Sequence, residues 1–324
     1  MARVLSGIQP TGSPQLGNYV GAISCWAAEQ EPDQYFCVVD LHAITVPQDP
    51  AELRARTLDS ATWLLAAGLD PEVVTLFVQS QVPQHTGLSW ILECVASMGE
   101  LGRMTQFKEK SEGRDSIPVG LYTYPVLQAA DILLYHAEEV PVGEDQRQHV
   151  ELTRDIAQRF NHRFGETFTL PEATVPVSGG RVMDLQLPQR KMSKSLPPAG
   201  TVLLSDDEAT TRKKLRRAVT DSGSGVRAGA DKPELTNLLE LAAIVTGATV
   251  PELETTYEGA GYGDFKAELA EAVNGYLRPV RLRYAELAAD PGTVREVLRK
   301  GADRAEVVAA QTFGLVRERV GFLT

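Results

Sequence analysis

The sequence predicts an α/β protein in which a doubly wound parallel sheet is followed by a C-terminal all-helical domain. In the first half of the chain, short β-rich runs alternate with helical segments, a pattern typical of a parallel sheet covered by helices. After about residue 200, charged and alanine-rich helical segments follow one another without strand patterns between them. A proline-rich stretch at 187–200 connects the two halves. We therefore expect one domain at 1–195 and a helical domain at 196–324, with the last helix free to pack back on the first domain.

The individual elements follow from local patterns. Strands are expected at 3–6, 34–39, 73–78 and 139–142. Helices are expected at 16–30, 51–67, 146–161, 206–218, 232–246, 264–287 and 292–320. Asp49 and Pro50 supply a helix N-cap and a first-turn proline. In open parallel sheets ligands bind beyond the carboxyl ends of the strands, so the loops that follow the strands are the first candidates for a site.

Composition limits the classes of function. The chain has 324 residues, 43% of them apolar, and no apolar run approaches the roughly 18 residues of a membrane helix. Three cysteines without a Cys-x-x-Cys pair, and no histidine at zinc-ligand spacing, predict no metal site and suit the reducing cytoplasm. A net charge of −11 argues against sequence-blind nucleic-acid binding. It leaves room for a local basic face, for which 212–217 is the densest cluster, although a solvated helix face fits that run equally well.

The loop after the first strand, 7–18, carries two glycines that allow a close backbone approach to a ligand, Gly12 and Gly17. The helix that begins near Gly17 is expected to direct unpaired N–H groups at phosphate. An ordinary strand-to-helix turn explains the two glycines equally well.

The segment Lys191-Met192-Ser193-Lys194-Ser195 favours a nucleotide site. Two ammonium groups on one loop can stabilise charge that develops on a pyrophosphate leaving group. Together with the glycine-containing loop, it predicts an ATP site divided between the two segments.

These motifs resemble the class I aminoacyl-tRNA synthetases, and most closely the bacterial tryptophanyl branch. Residues 15–18, Gln-Leu-Gly-Asn, stand where that class has His-Ile-Gly-His, so both histidine positions differ. Further similar segments lie at 7–10, 39–45, 104–110, 129–133 and 140–146. The resemblance covers most of 1–195, and it implies a Rossmann-like catalytic domain followed by a helical anticodon-binding domain.

The resemblance also implies residue roles. Groups around ATP would be Gln9, Pro10, Thr11, Gly17, Asn18, Gly143, Glu144, Asp145, Val182, Lys191, Met192, Ser193, Lys194 and Ser195. Those expected to stabilise the reaction are Thr11, Asn18, Lys191, Ser193 and Lys194. The tryptophan pocket would be formed by His42, Tyr124, Gln128, Asp131, Val140, Val142 and Gln146. Asp131 would accept the indole N–H, since an unpaired carboxylate inside the apolar run 126–134 would be costly.

The partners implied are L-tryptophan, ATP with Mg²⁺ carried by the nucleotide, tRNA(Trp) and a second copy of the chain. Candidate tRNA contacts are Arg103, Lys108, Lys110 and the basic cluster 212–217.

Three alternatives stay open at this stage. A tyrosyl enzyme is the first, because Tyr124, Gln128 and Asp131 also resemble the tyrosyl branch. The second is a synthetase-like paralogue with a binding or regulatory role. The third is a nucleotidylyltransferase with a similar nucleotide fold, which would not need the long helical domain.

Overall fold

A five-stranded parallel sheet organises the first half of the molecule. The computed structural model describes residues 2–113, 116–174, 182–223 and 225–323. The strands are β1 (Val4–Ile8), β2 (Gln34–Val38), β3 (Thr75–Val78), β4 (Glu139–Pro141) and β5 (Glu172–Thr174). Their order in the sheet is β3-β2-β1-β4-β5, and every neighbouring pair is parallel. The predicted fold class, a doubly wound parallel sheet with a C-terminal helical region, is confirmed.

Helices connect the strands and form the C-terminal region. The first helix, α1 (Leu16–Asn18), continues through a π-helical segment, Tyr19–Ile23, into α2 (Ser24–Ala28). The sheet region also contains α3 (Asp40–Ala43), α4 (Pro50–Ala66), α5 (Gln84–Glu93), α6 (Met98–Leu101), α7 (Thr105–Ser111), α8 (Val119–Leu134) and α9 (Arg147–Phe164). After it come α10 (Glu208–Arg216), α11 (Pro233–Thr246), α12 (Val250–Thr256), α13 (Tyr262–Ala289) and α14 (Pro291–Val320).

Three strand predictions need correction. The first strand extends to Ile8, because its last residue still pairs with Val38, so it runs two residues into the glycine-containing loop. The third begins at Thr75 rather than at residue 73, because the backbone N–H groups of Val73 and Val74 are used in a turn closed on the Asp70 carbonyl. The fifth strand, β5, was not predicted: three residues are too few to show a period of two.

The sheet is buried on both faces, as a doubly wound arrangement requires. Along β2, Tyr35 and Cys37 pack in a core with α5, α8, α9 and α14. Phe36 and Val38 point to the opposite face and pack in a core that includes α4 and the helical region. Alternate residues of one strand therefore belong to two separate cores.

The helical region docks on α4 through α13. The ring of Tyr284 on α13 stacks on Trp63 of α4, with centroids 3.8 Å apart and planes 11° from parallel. The Tyr284 hydroxyl donates to Asp59 of α4 at 2.5 Å. An aromatic stack and a hydrogen bond thus fix the contact between the two regions.

The last helix, α14, returns to the sheet. Its Thr312 hydroxyl donates to the Leu134 carbonyl, and Arg304 donates to the carbonyls of Pro71 and Val74. Gly301 lies where α14 crosses β3, so close to the Leu76 carbonyl that a Cβ would overlap it. Within the described residues, no helix is long and apolar enough to cross a membrane.

Because only a glycine fits at that crossing, Gly301→Ala should lower the free energy of unfolding by about 3 kcal/mol through forced separation of helix and strand. The matched control, Gly314→Ala on the same helix, has open space at its Cβ and should gain up to about 1 kcal/mol from helix propensity. Urea unfolding measures both. Equal effects of the two substitutions would contradict the close packing of α14 on the sheet.

Candidate active site

A cavity opens at the carboxyl ends of β1 and β4. From β1 the chain leads to one side of the sheet and from β4 to the other, so this edge is the switch point where ligands bind in such folds. The cavity measures about 810 Å³. Sequence-predicted site residues that line it are Gln9, His42, Tyr124, Gln128, Asp131, Val140, Val142, Glu144, Asp145 and Gln146. The structure therefore brings the predicted amino-acid pocket together in one cavity.

A buried carboxylate, Asp131 of α8, belongs to the cavity wall. Its Oδ1 accepts from Gln79 Nε2 and is 2.7 Å from His85 Nδ1, and its Oδ2 is 2.7 Å from His42 Nε2. Burial raises the pKa of Asp131, but the charge and hydrogen bonds of His42 and His85 outweigh it and hold that pKa well below its usual range. The cost of burying this carboxylate is thus offset by protein groups, whereas the sequence argument had assigned that role to a ligand.

Another part of the cavity wall is built around Tyr124, which also belongs to α8. Its hydroxyl lies 2.8 Å from His149 Nε2 and donates to Gln106 Oε1 at 3.2 Å. Burial raises the pKa of Tyr124 to about 12 and lowers that of His149 to about 4. Both groups are therefore neutral near pH 7, and the tyrosine presents a hydroxyl rather than a charge to the cavity.

A lysine of α7 also lines the cavity. The Lys110 ammonium lies 5.1 Å from the centre of the Tyr124 ring, and desolvation lowers its pKa. Lys110 is one of the tRNA contacts predicted from the sequence. Its position at the cavity instead makes it a group able to meet an anionic ligand there.

The segment 143–146 forms the rim. Glu144 pairs with Arg147 at 3.1 Å. Asp145 accepts from Gln106 at 3.2 Å and from Gln146 at 3.0 Å, which ties α7 to this rim. Asp145 does not cap α9, whose N-cap residue is Gln146. Its carboxylate remains exposed at the cavity, where it can accept a hydroxyl hydrogen bond.

The expectation of open N–H groups at the start of α1 is wrong. The Leu16 N–H donates to Val202, the Gly17 N–H donates to the Gln15 side chain at 2.6 Å, and the Asn18 N–H donates to the Gln15 carbonyl. Gln15 therefore occupies the place where an anion was expected. Gly17 is needed because a Cβ there would meet the Gln15 amide and Val182.

The lysine loop 191–195 lies on the glycine-containing loop. Lys194 Nζ donates to the Thr11 carbonyl at 3.0 Å, the Thr11 hydroxyl at 3.2 Å and the Gly12 carbonyl at 3.2 Å. Thr11 is joined to cavity-lining Gln9 by a backbone hydrogen bond of 2.8 Å. The two predicted halves of the nucleotide site are therefore adjacent, and the first of them reaches the cavity wall at Gln9.

Buried contacts hold the base of the lysine loop. Gln15 Nε2 donates to the carbonyl of Met192, a buried residue. The backbone of Lys191 pairs with that of Met183 in an isolated antiparallel β-bridge, and the Thr201 hydroxyl donates to the Ser193 carbonyl at 2.9 Å. Of the other predicted nucleotide-site residues, Val182 and Pro10 are buried beside these loops, while Asn18, Gly143, Lys191 and Ser195 are exposed. The lysine side chains are thus presented on a fixed base.

A carboxylate of α4 lies near Lys194. Protein atoms around the Lys194 ammonium lower its pKa, and the charge of Asp59 opposes that decrease. Asp59 is the same residue that accepts from Tyr284 of α13. Asp59 therefore acts on the lysine loop through its charge and on the helical region through a hydrogen bond.

Several residues that form hydrogen bonds in or next to the site are not among those predicted from the sequence: Gln15, Asp59, Gln79, His85, Gln106, Tyr135 and His149. Gln79 carried a usable signal, because it follows β3 at the same sheet edge as the cavity. His85 lies within α5, where a lone histidine has no distinguishing pattern.

Known proteins share this architecture. The model of the tRNA synthetases class I (W and Y) matches residues 1–278. Tryptophan–tRNA ligase 2 of Streptomyces avermitilis is 55% identical over 327 residues, which cover 99% of this chain and 97% of that protein. Among solved structures, tryptophanyl-tRNA synthetase of Mycoplasma pneumoniae has a TM-score of 0.89 at 35% identity, covering 100% of this chain and 98% of that one.

A second structure, the Campylobacter jejuni tryptophanyl-tRNA synthetase complexed with ADP and tryptophan, has a TM-score of 0.87 at 37% identity, covering 99% of this chain and all of that one. The resemblance predicted from the sequence motifs is confirmed over nearly the full length. The chain belongs to the class I tRNA synthetases of the tryptophan and tyrosine (W and Y) family.

Proposed function

We propose that this chain activates L-tryptophan with ATP to form tryptophanyl-adenylate and pyrophosphate, and then transfers the tryptophanyl group to tRNA(Trp). The observation that carries the proposal is the ionised, buried Asp131 in a cavity that is also lined by Gln9, whose loop continues to the contact between Thr11 and Lys194. The cavity can take an aromatic amino acid with a hydrogen-bond donor. The two loops can take a polyphosphate. The C. jejuni relative was solved with ADP and tryptophan, which agrees with this pairing.

In the proposed reaction the tryptophan carboxylate attacks the α-phosphorus of ATP, and the bond to the bridging oxygen breaks, releasing pyrophosphate. The 2′- or 3′-hydroxyl of the terminal tRNA ribose then attacks the activated carbonyl, loses its proton, and AMP leaves. The protein supplies positioning and positive charge and needs no nucleophile of its own. Lys191, Lys194, Thr11 and Asn18 are the proposed groups around the phosphates, and the exposed Asp145 is proposed to bind the ribose hydroxyls.

We propose that Mg²⁺ enters with the ATP phosphates. In the described part of the chain, no cluster of three or more His, Cys, Asp or Glu side chains is placed to hold a metal ion. The proposed ion is held mainly by phosphate oxygens and water, and it neutralises phosphate charge.

The second partner is a tRNA. Within the basic cluster, Arg212 pairs with Glu271 at 2.6 Å and Lys214 pairs with Asp206 at 2.6 Å, so these two cations are already engaged. Lys213, Arg216 and Arg217 are exposed on or next to α10, and Arg103 and Lys108 are exposed near α7. We propose that these exposed cations contact the tRNA backbone.

A homodimer is the proposed assembly, and we place it in the cytoplasm with its tRNA partner. Two exposed apolar side chains, Ile44 and Trp90, line a pocket of about 390 Å³ next to α5 and α8, and two more, Ile117 and Val119, flank its lining residue Pro118. Thr45 and Tyr124 line both this pocket and the main cavity. An apolar patch of this kind is typical of a protein interface, and a second copy here would stabilise the wall of the amino-acid pocket.

The role of the lysine loop can be tested with Lys194→Ala. Loss of a preorganised charge should slow tryptophan-dependent pyrophosphate exchange by about 10²- to 10³-fold, with the Kd for tryptophan within about twofold of wild type. Lys213→Ala, an exposed lysine on α10, is the control and should leave exchange unchanged. An unaltered exchange rate in Lys194→Ala would refute the assignment, and stimulation of the wild-type enzyme by tyrosine instead of tryptophan would support the tyrosyl alternative.

The tRNA surface can be tested by replacing Lys213, Arg216 and Arg217 together with alanine. Affinity for tRNA should fall. The slope of the logarithm of the binding constant against the logarithm of salt concentration should become shallower by about 3, because three phosphate contacts are lost. Pyrophosphate exchange should not change. A triple replacement of Arg295, Arg299 and Lys300 on α14 makes the same change in net charge and controls for it. Equal losses of tRNA affinity in both variants would exclude a local contact.

The dimer surface can be tested with Trp90→Glu, which places a charge in the centre of the apolar patch. The variant should sediment as a monomer at micromolar concentration, because a buried unpaired carboxylate disfavours association. Val307→Glu changes another exposed apolar side chain, on α14, and should retain the wild-type mass. Light scattering after gel filtration measures both. A dimeric Trp90→Glu would place the interface elsewhere.

A further inference from the structure

The donors around Asp131 are divided unequally between its two oxygens. Oδ1 has two partners, Gln79 Nε2 and His85 Nδ1, each at 2.7 Å. Oδ2 has one, His42 Nε2, also at 2.7 Å. A carboxylate oxygen has about two lone-pair sites. Oδ1 is therefore saturated by the protein, and only Oδ2 retains a place for another donor.

The unsaturated oxygen is the one on the cavity side. His42, the partner of Oδ2, lines the cavity together with Asp131. The two partners of Oδ1 are completely buried and are not among the cavity-lining residues. An indole N–H that enters the cavity therefore meets Oδ2. The orientation of that oxygen is fixed by the hydrogen bonds of Gln79 and His85 to Oδ1, outside the cavity lining.

The two ring nitrogens of His85 face Asp131 and Tyr135. His85 Nε2 lies 2.8 Å from the hydroxyl of Tyr135, a side chain that is itself fully buried. Because the ionised Asp131 can only accept, Nδ1 carries a proton and donates to it, and the Tyr135 hydroxyl, which can donate or accept, holds Nε2 from the other side. Tyr135 is held in turn by a stacked ring, Tyr35, at 4.7 Å. Two consecutive hydrogen bonds thus connect Tyr135 through His85 to Asp131.

We propose that His85, oriented by Tyr135, is a positioning residue that determines specificity for the indole N–H by fixing the rotation of the Asp131 carboxylate. The inference rests on the proposed tryptophan activation. Without the donor at Nδ1, the carboxylate loses one of the two bonds that direct Oδ2 at the ligand. Recognition of the N–H should weaken, while the fit of the ring system should not change.

Two amino acids separate these effects. L-Tryptophan has the N–H, and β-(1-benzothiophen-3-yl)-L-alanine has sulfur in its place in a ring system of similar size. The readout is the ratio of their kcat/KM values in pyrophosphate exchange. The wild-type enzyme should favour tryptophan by 10²-fold or more, because a site built around a donor rejects an analogue that lacks it.

The variants differ in which nitrogen they imitate. The Asn amide nitrogen stands where Nδ1 stands, so His85→Asn should keep the ratio within about threefold of wild type. The Gln amide reaches the position of Nε2, so His85→Gln and His85→Leu should reduce the ratio by about 10- to 100-fold, through kcat/KM for tryptophan alone. Tyr135→Phe keeps the aromatic ring but removes the hydroxyl, and it should reduce the specificity ratio by a smaller factor. His136→Asn is the control, since asparagine tolerates the φ of 51° at that position and His136 lies outside the cavity lining.

The outcomes are distinct. A selective loss for tryptophan in His85→Gln, with the ratio retained in His85→Asn and an unchanged KM for ATP, supports the inference. Equal losses for both amino acids in every variant show a purely structural role and overturn it. If the histidine variants do not fold, an unchanged ratio in Tyr135→Phe also overturns it. A wild-type enzyme that fails to distinguish the two amino acids contradicts the proposed role of Asp131 itself, whereas failure of the variants alone leaves the proposed function intact.

Discussion

The site depends on a single buried charge, the carboxylate of Asp131. A carboxylate removed from water is costly, and three donors from separate elements offset that cost: His42 from α3, Gln79 after β3 and His85 from α5. Those donors require α3, α5 and α8 to meet at the end of the sheet. The position of the cavity and the direction of its acceptor both follow from this requirement.

The nucleotide end of the site depends on a second set of contacts, in which Gln15 has two functions. Its side chain closes the first turn of α1 by accepting from Gly17, and it donates to the Met192 carbonyl at the base of the lysine loop. One amide therefore connects the segments that the sequence shows 177 residues apart. Lys194 is thereby kept next to Thr11, where the proposed reaction places a charge that follows the leaving pyrophosphate.

The sequence argument succeeded where the signal was local. Alternating strands and helices predicted the sheet. The motif at 191–195 predicted a second segment that acts together with the loop at 7–18, and the contacts of Lys194 with Thr11 agree with that prediction. It failed where a role depends on distant partners. Nothing in the neighbourhood of His85 indicates that its Nδ1 meets Asp131, 46 residues later, and Gln15 could not be recognised as the group that caps Gly17. Residue types and motifs could be predicted, whereas the partners of buried polar groups required the fold.

The most direct test of the account is a crystal structure of the protein with tryptophan and a non-hydrolysable ATP analogue. The account predicts the indole nitrogen within hydrogen-bond distance of Asp131 Oδ2, with His42 and His85 still in place, and the polyphosphate between Thr11 and the lysine loop. An indole nitrogen directed away from Asp131, or a polyphosphate bound without contact to Lys194, would contradict it.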